Sequence, residues 1–144
     1  MVSNALSGAA VGYNLDLTAE EIKAGIEHLP SIPGRGAIIS TDKLVILDDC
    51  YNANPMSMKA SLDVLKDGAG RRVAILGDMG ELGENEVQLH QEVGAHAASC
   101  GIDKCICVGE LSAHMAEAAK KTDPDFDICH IRTREELLQH LGDY

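Results

Sequence analysis

From Ala37 onward, strand-like apolar runs alternate with helical segments, and this alternation constrains the fold more than any other feature. The strand-like runs are AIIS, KLVILDD, RRVAILG, KCICVG and DICHI, and helical segments follow the last four of them. Successive β-then-α units predict a parallel sheet with right-handed crossovers and helices on its faces. AIIS and KLVILDD, which are separated by Thr41 and Asp42, could pair as a hairpin. We therefore expect an α/β fold, three-layered and Rossmann-like, with a mainly parallel sheet.

Residues 1–36 differ from this pattern and form a short helical lead-in. Thr18 and Glu21 stand three apart before an apolar-periodic run, which predicts a capping box at a helix start. The segment PSIPGRG then brings two prolines and two glycines, a composition typical of a linker. A second capping box is predicted for Thr133 and Glu136, near the end of the chain. We divide the sequence into residues 1–36 and a domain of residues 37–144.

Composition excludes several classes of function. Acidic residues outnumber basic ones 23 to 12, the formal net charge is −11, and the aromatic residues are three tyrosines and one phenylalanine. Nucleic-acid binding needs a basic surface and often stacking aromatics, so no nucleic-acid partner is expected. No apolar run approaches the roughly 20 residues of a membrane span, and the start of the chain lacks the basic region of a signal peptide.

The five cysteines are expected to be free thiols. An odd number without a secretory signal fits the reducing cytoplasm better than a disulfide framework. Cys105 and Cys107 stand two apart in a strand-like run, so both should face the same side of a sheet. The C-x-x-C pairs of a structural zinc site are absent, so we expect buried structural thiols and no metal site.

The stretch DDCYNANP, from Asp48 to Pro55, is the first candidate site. It joins a strand to a helix, and ligands bind at such turns in open α/β sheets. Asn54 is placed to cap the helix and Pro55 suits its first position, with Gly68 at its end. Because Asn54 is better placed than Asp49 to cap this helix, the carboxylate of Asp49 is left for a ligand.

The second candidate site is the glycine-rich turn LGDMGELGEN, which follows RRVAILG. Its glycines are spaced G-x-x-G-x-x-G rather than G-x-G-x-x-G, so it does not match the dinucleotide fingerprint. The sequence also contains no G-x-x-x-x-G-K-S/T phosphate-binding loop. Glu86 and His90, four residues apart beyond this turn, are expected to be neighbours on a helix face rather than a catalytic dyad.

DDCYNANPMSM, VAILGDMGELG and the histidine of HQEVG together resemble the C-terminal domain of the Mur ligase family. The opening VSNAL resembles the end of that family's central ATPase domain, and GRG around Arg35 resembles the hinge between the two domains. YNANP and LGDMGELG are closest to the member that uses D-alanyl-D-alanine. The resemblance assigns residues 1–36 to the tail of the central domain and the hinge, and residues 37–144 to the C-terminal domain.

The resemblance implies an ATP-dependent amide ligase that joins D-alanyl-D-alanine to UDP-N-acetylmuramoyl-tripeptide in cytoplasmic peptidoglycan precursor synthesis, with ATP and Mg²⁺. The ATP-binding residues that it implies are Asn4, Arg35, Asp49, Tyr51, Asn52 and Asn54. Asp49 would accept hydrogen bonds from ribose hydroxyls, Tyr51 would offer its ring to the nucleotide, and Arg35 would meet phosphate oxygens on domain closure. Asp78 and Glu81 would border the D-alanyl-D-alanine site. No catalytic residue and no metal ligand falls in this chain.

The chain also departs from the family pattern. Cys50 stands where the family commonly has serine, and a lysine-glycine-serine element with a closing strand is expected beyond LLQHLGDY. We therefore expect a fragment that is inactive alone and lacks the last strand of its sheet. Two alternatives stay open, namely another amide ligase of the superfamily, such as the folylpolyglutamate type, and a stand-alone nucleotide-binding module.

Overall fold

A computed structural model describes residues 2–30 and 32–143 of the chain. The chain divides into two compact units, with the division between Ile32 and Pro33. The linker predicted at PSIPGRG includes Ser31, which lies outside the described residues. The predicted domain boundary at residues 36 and 37 stays a prediction.

The first unit consists of two helices, α1 (Val2–Asn14) and α2 (Ala19–Glu27). The capping box predicted for α2 is present, because the Thr18 hydroxyl accepts the Glu21 N–H and the Glu21 carboxylate accepts the Thr18 N–H. Gly12 in α1 lies against the side chain of Ile22, where a Cβ atom would come within 2.9 Å. No residue of α2 is buried within the part of the chain that the structure describes.

The second unit begins with a hairpin of β1 (Ala37–Ser40) and β2 (Val45–Asp48). The strands pair antiparallel, with Ala37 opposite Asp48. The predicted hairpin is therefore confirmed, whereas KLVILDD, the first of the four β-then-α strands, pairs with AIIS and does not join the parallel sheet of the other three. The physical reason lies in the turn, where the N–H and hydroxyl of Thr41 both bond to the carbonyl of Leu44 and direct the chain back along β1.

Helix α3 (Pro55–Lys66) follows the hairpin and leads to a parallel sheet. The sheet contains β3 (Val73–Gly77), β4 (Lys104–Val108) and β5 (Ile128–Ile131), in that spatial order. The 3₁₀ turn Gly83–Asn85 and α4 (Glu86–Ser99) connect the first two strands, and α5 (Ala113–Thr122) connects the last two. After β5 the chain forms α6 (Arg134–His140) and a final 3₁₀ turn, Leu141–Asp143.

Both faces of the parallel sheet are covered by helices, as the three-layer prediction requires. On one face, strand residues pack against α3, α4 and α5, and the buried members are Met58, Leu62, Ala74, Val93, Ala97, Cys105, Cys107, Met115 and Ala119. On the other face, Ile106 and Ile131 pack against Leu137 of α6. The Sγ atoms of Cys105 and Cys107 lie 3.9 Å apart and are buried, so both thiols face the same side as predicted.

The second predicted capping box is present only in half. The Thr133 hydroxyl accepts the Glu136 N–H at 3.2 Å, as predicted. The Glu136 carboxylate bonds instead to the N–H of Arg132, one residue before the cap, at 3.3 Å. A full capping box would have the Glu136 carboxylate accept the N–H of Thr133, and here it accepts the N–H of the preceding residue.

Candidate functional site

Two neighbouring carboxylates at the end of β2 make contacts with different parts of the unit. Successive side chains on a strand point to opposite sides, and Asp48 and Asp49 follow this rule. Asp48 Oδ2 accepts the backbone N–H of Gly34 at 2.9 Å, whereas Asp49 Oδ2 accepts the hydroxyl of Ser61 on α3 at 2.5 Å. Within the described residues, the other oxygen of Asp49 makes no hydrogen bond. Asp49 therefore keeps acceptor capacity for a ligand.

The loop before β1 is held against the turn after β2. The Tyr51 N–H donates to the Gly34 carbonyl at 2.8 Å, so Gly34 both donates to Asp48 and accepts from Tyr51. The guanidinium carbon of Arg35 lies 3.8 Å above the centre of the Tyr51 ring, which is cation–π geometry. Gly34 has φ +75°, and a Cβ atom there would come within 3.2 Å of Tyr51. The predicted site residues Arg35 and Tyr51 are thus brought together.

Cys50, between these groups, is a hydrogen-bond donor to Asp48. Its Sγ atom lies 3.0 Å from Asp48 Oδ1. This hydrogen bond, with the negative charge of Asp48, raises the pKa of the Cys50 thiol above its ordinary value. The same thiol, followed by the Gly34 N–H, lowers the pKa of Asp48. Reactive cysteines have lowered pKa values, so the exposed Cys50 lacks the environment of a nucleophile.

The two asparagines of the turn have different surroundings. Asn54 caps α3, since its side-chain oxygen accepts the Ser57 N–H at 2.9 Å and its own N–H donates to the Ser57 hydroxyl. This confirms the predicted cap and engages the amide of Asn54 within the fold. Asn52 is exposed, and its side chain makes no hydrogen bond in the described part of the chain. Asn52 is therefore the asparagine whose amide is available to a ligand.

The turn after β3 places Asp78 against the next strand-to-helix connection. The carboxylate of Asp78 accepts the backbone N–H groups of Glu110 and Ser112, at 3.0 and 2.7 Å. Gly109 adopts φ +131°, and a Cβ atom there would lie 2.5 Å from Asp78 Oδ2. Both oxygens of Asp78 thus hold the connection between β4 and α5, at the carboxyl edge of the parallel sheet.

A buried histidine of α4 is hydrogen-bonded to the turn after β3. His90 of α4 is fully buried, its Nε2 accepts the Met79 N–H at 3.0 Å, and its Nδ1 lies 2.7 Å from the Glu86 carbonyl. Because Nε2 accepts the N–H of Met79, the ring proton of His90 is on Nδ1, which donates to the Glu86 carbonyl. His90 therefore bonds to the backbone of Glu86 and not to its carboxylate, and no dyad is formed. Glu81, nearby in the chain, is exposed and has φ +59°.

Asn4, the remaining predicted site residue, is exposed on α1 in the first unit. Arg35, Asp49, Tyr51, Asn52 and Asn54 belong to the second unit, at or before the turn that follows β2. Asp78 and Glu81 lie in the separate turn that follows β3.

The residues that support these turns, Ser61 and Gly109, were not predicted from the sequence. Ser61 lies twelve residues beyond Asp49, and Gly109 lies a whole β-α connection beyond Asp78. The signal for Gly109 is a glycine at the end of the predicted strand KCICVG, because glycine readily adopts the positive φ that a turn there can require. For Ser61 no local pattern exists, because a serine inside a helix is unremarkable.

The turn after β2 and the Arg35 side chain that lies over Tyr51 combine groups that suit a phosphorylated sugar. An exposed carboxylate accepts hydroxyl hydrogen bonds, and a guanidinium binds phosphate through its planar set of N–H donors. Among residues 2–30 and 32–143, no group of three or more His, Cys, Asp or Glu side chains is placed to hold a metal ion. Over the same residues, no helix is long and apolar enough to cross a membrane.

The parallel sheet, its helices on both faces and the polar turns at the strand ends define a Rossmann-like α/β domain. Residues 34–143 match the model of the Mur ligase, glutamate ligase domain, and the chain belongs to this Mur ligase family. The family resemblance found in the sequence is thereby confirmed.

Relatives with known names agree with this assignment. The chain is 38% identical over 138 residues to the UDP-N-acetylmuramoyl-tripeptide–D-alanyl-D-alanine ligase of Escherichia coli strain K12, covering 95% of this chain and 30% of that protein. The Bacillus subtilis strain 168 protein of the same name is 36% identical over 141 residues, covering 96% of this chain and 31% of that one. The chain thus spans about a third of the length of these curated relatives.

Solved structures show the same fold. A crystal structure of MurF from Acinetobacter baumannii matches with a TM-score of 0.86 and 32% identity, covering 99% of this chain and 30% of that chain. A MurF ligase from Thermotoga maritima in complex with ADP matches with a TM-score of 0.67 over 93% of this chain and 36% of that chain. Its identity is 21%, so this second match bears on the fold alone.

Proposed function

We propose that this chain is the C-terminal domain of the ATP-dependent ligase that adds D-alanyl-D-alanine to UDP-N-acetylmuramoyl-tripeptide in the cytoplasm. The observation that carries the proposal is the 38% identity to a ligase of that name over 95% of the chain. ATP, with Mg²⁺, supplies the phosphoryl group that activates the peptide carboxylate for attack by the dipeptide amine. The Mg²⁺ ligands and the phosphate-binding loop are assigned to the central domain of the same enzyme, with which this domain would work.

On the nucleotide side, the chain contributes acceptors and a cation. Asp49 would accept ribose hydroxyl hydrogen bonds through the oxygen that Ser61 does not use. Arg35 would donate to phosphate oxygens, and within the described residues its guanidinium makes no other hydrogen bond or ion pair. Asn52 would supply an amide, whereas Asn54 would shape the site through the helix that it caps. The nucleotide contact that the resemblance implies for Asn4 stays a prediction.

On the dipeptide side, we assign the turn from Gly77 to Gly83 to the wall of the D-alanyl-D-alanine site. Because both oxygens of Asp78 accept backbone N–H groups of Glu110 and Ser112, Asp78 would fix the conformation of the turn and would not bind the dipeptide itself. Glu81 is exposed at the tip of this turn, where its carboxylate could meet the dipeptide amine.

The exposed apolar side chains of the first unit support its assignment to the central domain. Leu6, Val11, Tyr13 and Leu15 are between 59% and 77% exposed. Helices with so much exposed apolar surface gain little stability by themselves, since most helical stability comes from tertiary packing. We therefore infer that helices α1 and α2 pack within the central ATPase domain, and that the segment after them, up to residue 36, is the hinge.

The test uses the full-length enzyme that contains this chain. Purified enzyme is incubated with ATP, Mg²⁺ and UDP-N-acetylmuramoyl-tripeptide, and phosphate release is measured with and without D-alanyl-D-alanine. We expect release that depends on the dipeptide, and none from the 144-residue chain alone, whose sequence lacks a phosphate-binding loop. Folate-dependent consumption of glutamate in place of the dipeptide would favour the folylpolyglutamate alternative. ATP binding by the 144-residue chain without ligase activity in the longer protein would favour a stand-alone module.

A further inference from the structure

A closed arrangement of contacts joins four residues, Gly34, Arg35, Asp48 and Tyr51. It was not predicted from the sequence, and we name these four residues the clasp. The Asp48 carboxylate accepts the N–H of Gly34, and the carbonyl of Gly34 accepts the N–H of Tyr51. Arg35, which follows Gly34, lies over the ring of Tyr51. The backbone hydrogen bonds and the cation–π contact therefore depend on the same loop position.

We propose that Asp48 and Tyr51 are positioning residues for Arg35, and that the clasp holds its guanidinium over the Tyr51 ring as a preformed anion-binding group. This inference rests on the proposed function, because it assigns the anion as a phosphate of the nucleotide. It also changes the role of Tyr51 from a stacking surface for the nucleotide to a platform for the cation.

The geometry of stacking explains why the clasp would help. A guanidinium that lies on an aromatic ring uses its π face, and its N–H donors remain in the plane. These donors can then meet phosphate oxygens in a bidentate manner. A long side chain that is already oriented loses less conformational freedom when a ligand arrives. Tyr51 is 67% exposed, so the platform stands at the surface where a ligand can approach.

The clasp requires a glycine at position 34. Gly34 is buried, has φ +75°, and leaves only 3.2 Å between a Cβ atom and Tyr51. A side chain there would strain the backbone and separate the loop from the ring. The half-buried Asp48 is fixed on its other oxygen by Cys50, so the acceptor for Gly34 has a fixed orientation.

The first experiment observes the clasp without any reaction. In the 144-residue chain, NMR chemical shifts of the Arg35 side chain are measured, because a ring directly beneath it displaces them upfield. We expect the displacement in the wild type and in Tyr51→Phe, its loss in Tyr51→Leu, and its reduction in Asp48→Ala. Asp42→Ala, an exposed acid in the turn of the same hairpin, should leave it unchanged. Equal Arg35 shifts in the wild type and Tyr51→Leu would overturn the proposal.

The second experiment is a double-mutant cycle in the full-length ligase, with kcat/KM for ATP as the readout. An exposed cation–π contact corresponds to about a 2- to 5-fold change. We expect Tyr51→Leu to lower kcat/KM by that factor when Arg35 is present, and to have much less effect in an Arg35→Ala enzyme. Tyr51→Phe should recover the larger part of the loss.

The outcomes separate the clasp from the proposed function. An equal loss from Tyr51→Leu in both backgrounds would show that Tyr51 acts on the nucleotide directly, which contradicts the positioning role. If the full-length protein had no ligase activity, the proposed function would fail, while the NMR comparison would still decide whether the clasp holds Arg35.

Discussion

Replacement of Gly94 by alanine tests the packing that places α4 against α5. Gly94 is buried in the middle of α4. A Cβ atom at this position would lie 2.6 Å from both the Cα and the carbonyl carbon of Met115, in α5. The obstacle is backbone, so no rotation of the Met115 side chain can make room. The two helices would have to move apart.

The cost follows from the size of that movement. Non-bonded carbons are in favourable contact at about 3.5–4.0 Å, so the helices must separate locally by roughly 1 Å. Val93, Ala97 and Ala119, which pack in the same layer, are fully buried and would lose contacts. Overpacking typically costs about 1–3 kcal/mol, and alanine regains about 0.5–1 kcal/mol over glycine inside a helix. We expect a net loss of about 2 kcal/mol, because the rigid backbone places this site near the upper end of the range.

Urea unfolding followed by circular dichroism measures this loss. With a slope of about 2 kcal/mol per molar urea, the midpoint should fall by about 1 M. Gly80→Ala is the matched control, since Gly80 is in the same unit and its added Cβ would meet nothing within 4 Å. Adding Met115→Ala to Gly94→Ala should not restore the midpoint. A Gly94→Ala midpoint equal to or above the wild-type value would refute the reasoning.

Three further predictions address the site and its support. Asp49→Ala in the full-length ligase should raise the KM for ATP about 10- to 100-fold, from lost charged hydrogen bonds of about 1.5–3 kcal/mol. The melting temperature should change little, because the one hydrogen bond that Asp49 makes within the described residues, to Ser61, is exposed. Hydrogen bonds from Arg72 lower the pKa of Asp103 to about 2, so the ionised carboxylate stabilises the fold above its unfolded pKa of about 3.9 and loses that effect as pH falls towards 2. In urea titrations at a series of acid pH values, the free energy of unfolding of the wild type should therefore approach that of Arg72→Ala across this range. His90→Leu leaves a buried backbone N–H without its acceptor and should lower the free energy of unfolding by about 1–3 kcal/mol in urea titrations.

The elements that the sequence predicted well are those encoded by neighbouring residues. Helix α3 begins at Pro55, directly after the Asn54 cap, as the pattern N-P indicates. The Thr18–Glu21 box is complete for the same reason, because both partners lie within one helical turn. The hairpin between β1 and β2 was also predicted, from two strand-like runs separated by Thr41 and Asp42. Local spacing did not show that this hairpin lies outside the parallel sheet.

The contacts that organise the candidate site connect residues far apart in sequence, and no local pattern predicts them. Asp78 is expected to border a ligand site, and in the structure it accepts two backbone N–H groups more than thirty residues away. Nothing near Asp78 indicates that partner, since the strand register alone brings the two turns together. The pairing of Arg35 with Tyr51 was likewise hidden, because each residue was assigned separately to the nucleotide. Patterns of residue type indicated two turns as candidate sites, but did not indicate which of their side chains make contacts within the fold.

The two adjacent acids at the end of β2 show how that sharing follows from strand geometry. Because consecutive side chains alternate in direction, one carboxylate of the pair must turn towards the loop before β1 and the other towards α3. Asp48 accepts a backbone N–H, a donor with no rotational freedom, whereas Asp49 accepts a hydroxyl, which can rotate and bond elsewhere. The partner of Asp48 is therefore permanent and the partner of Asp49 is exchangeable. If the domain closes over a nucleotide, we expect Asp48 to keep its contact in every state, and the Ser61 hydroxyl to reorient while ribose hydroxyls bond to the oxygen of Asp49 that Ser61 does not use.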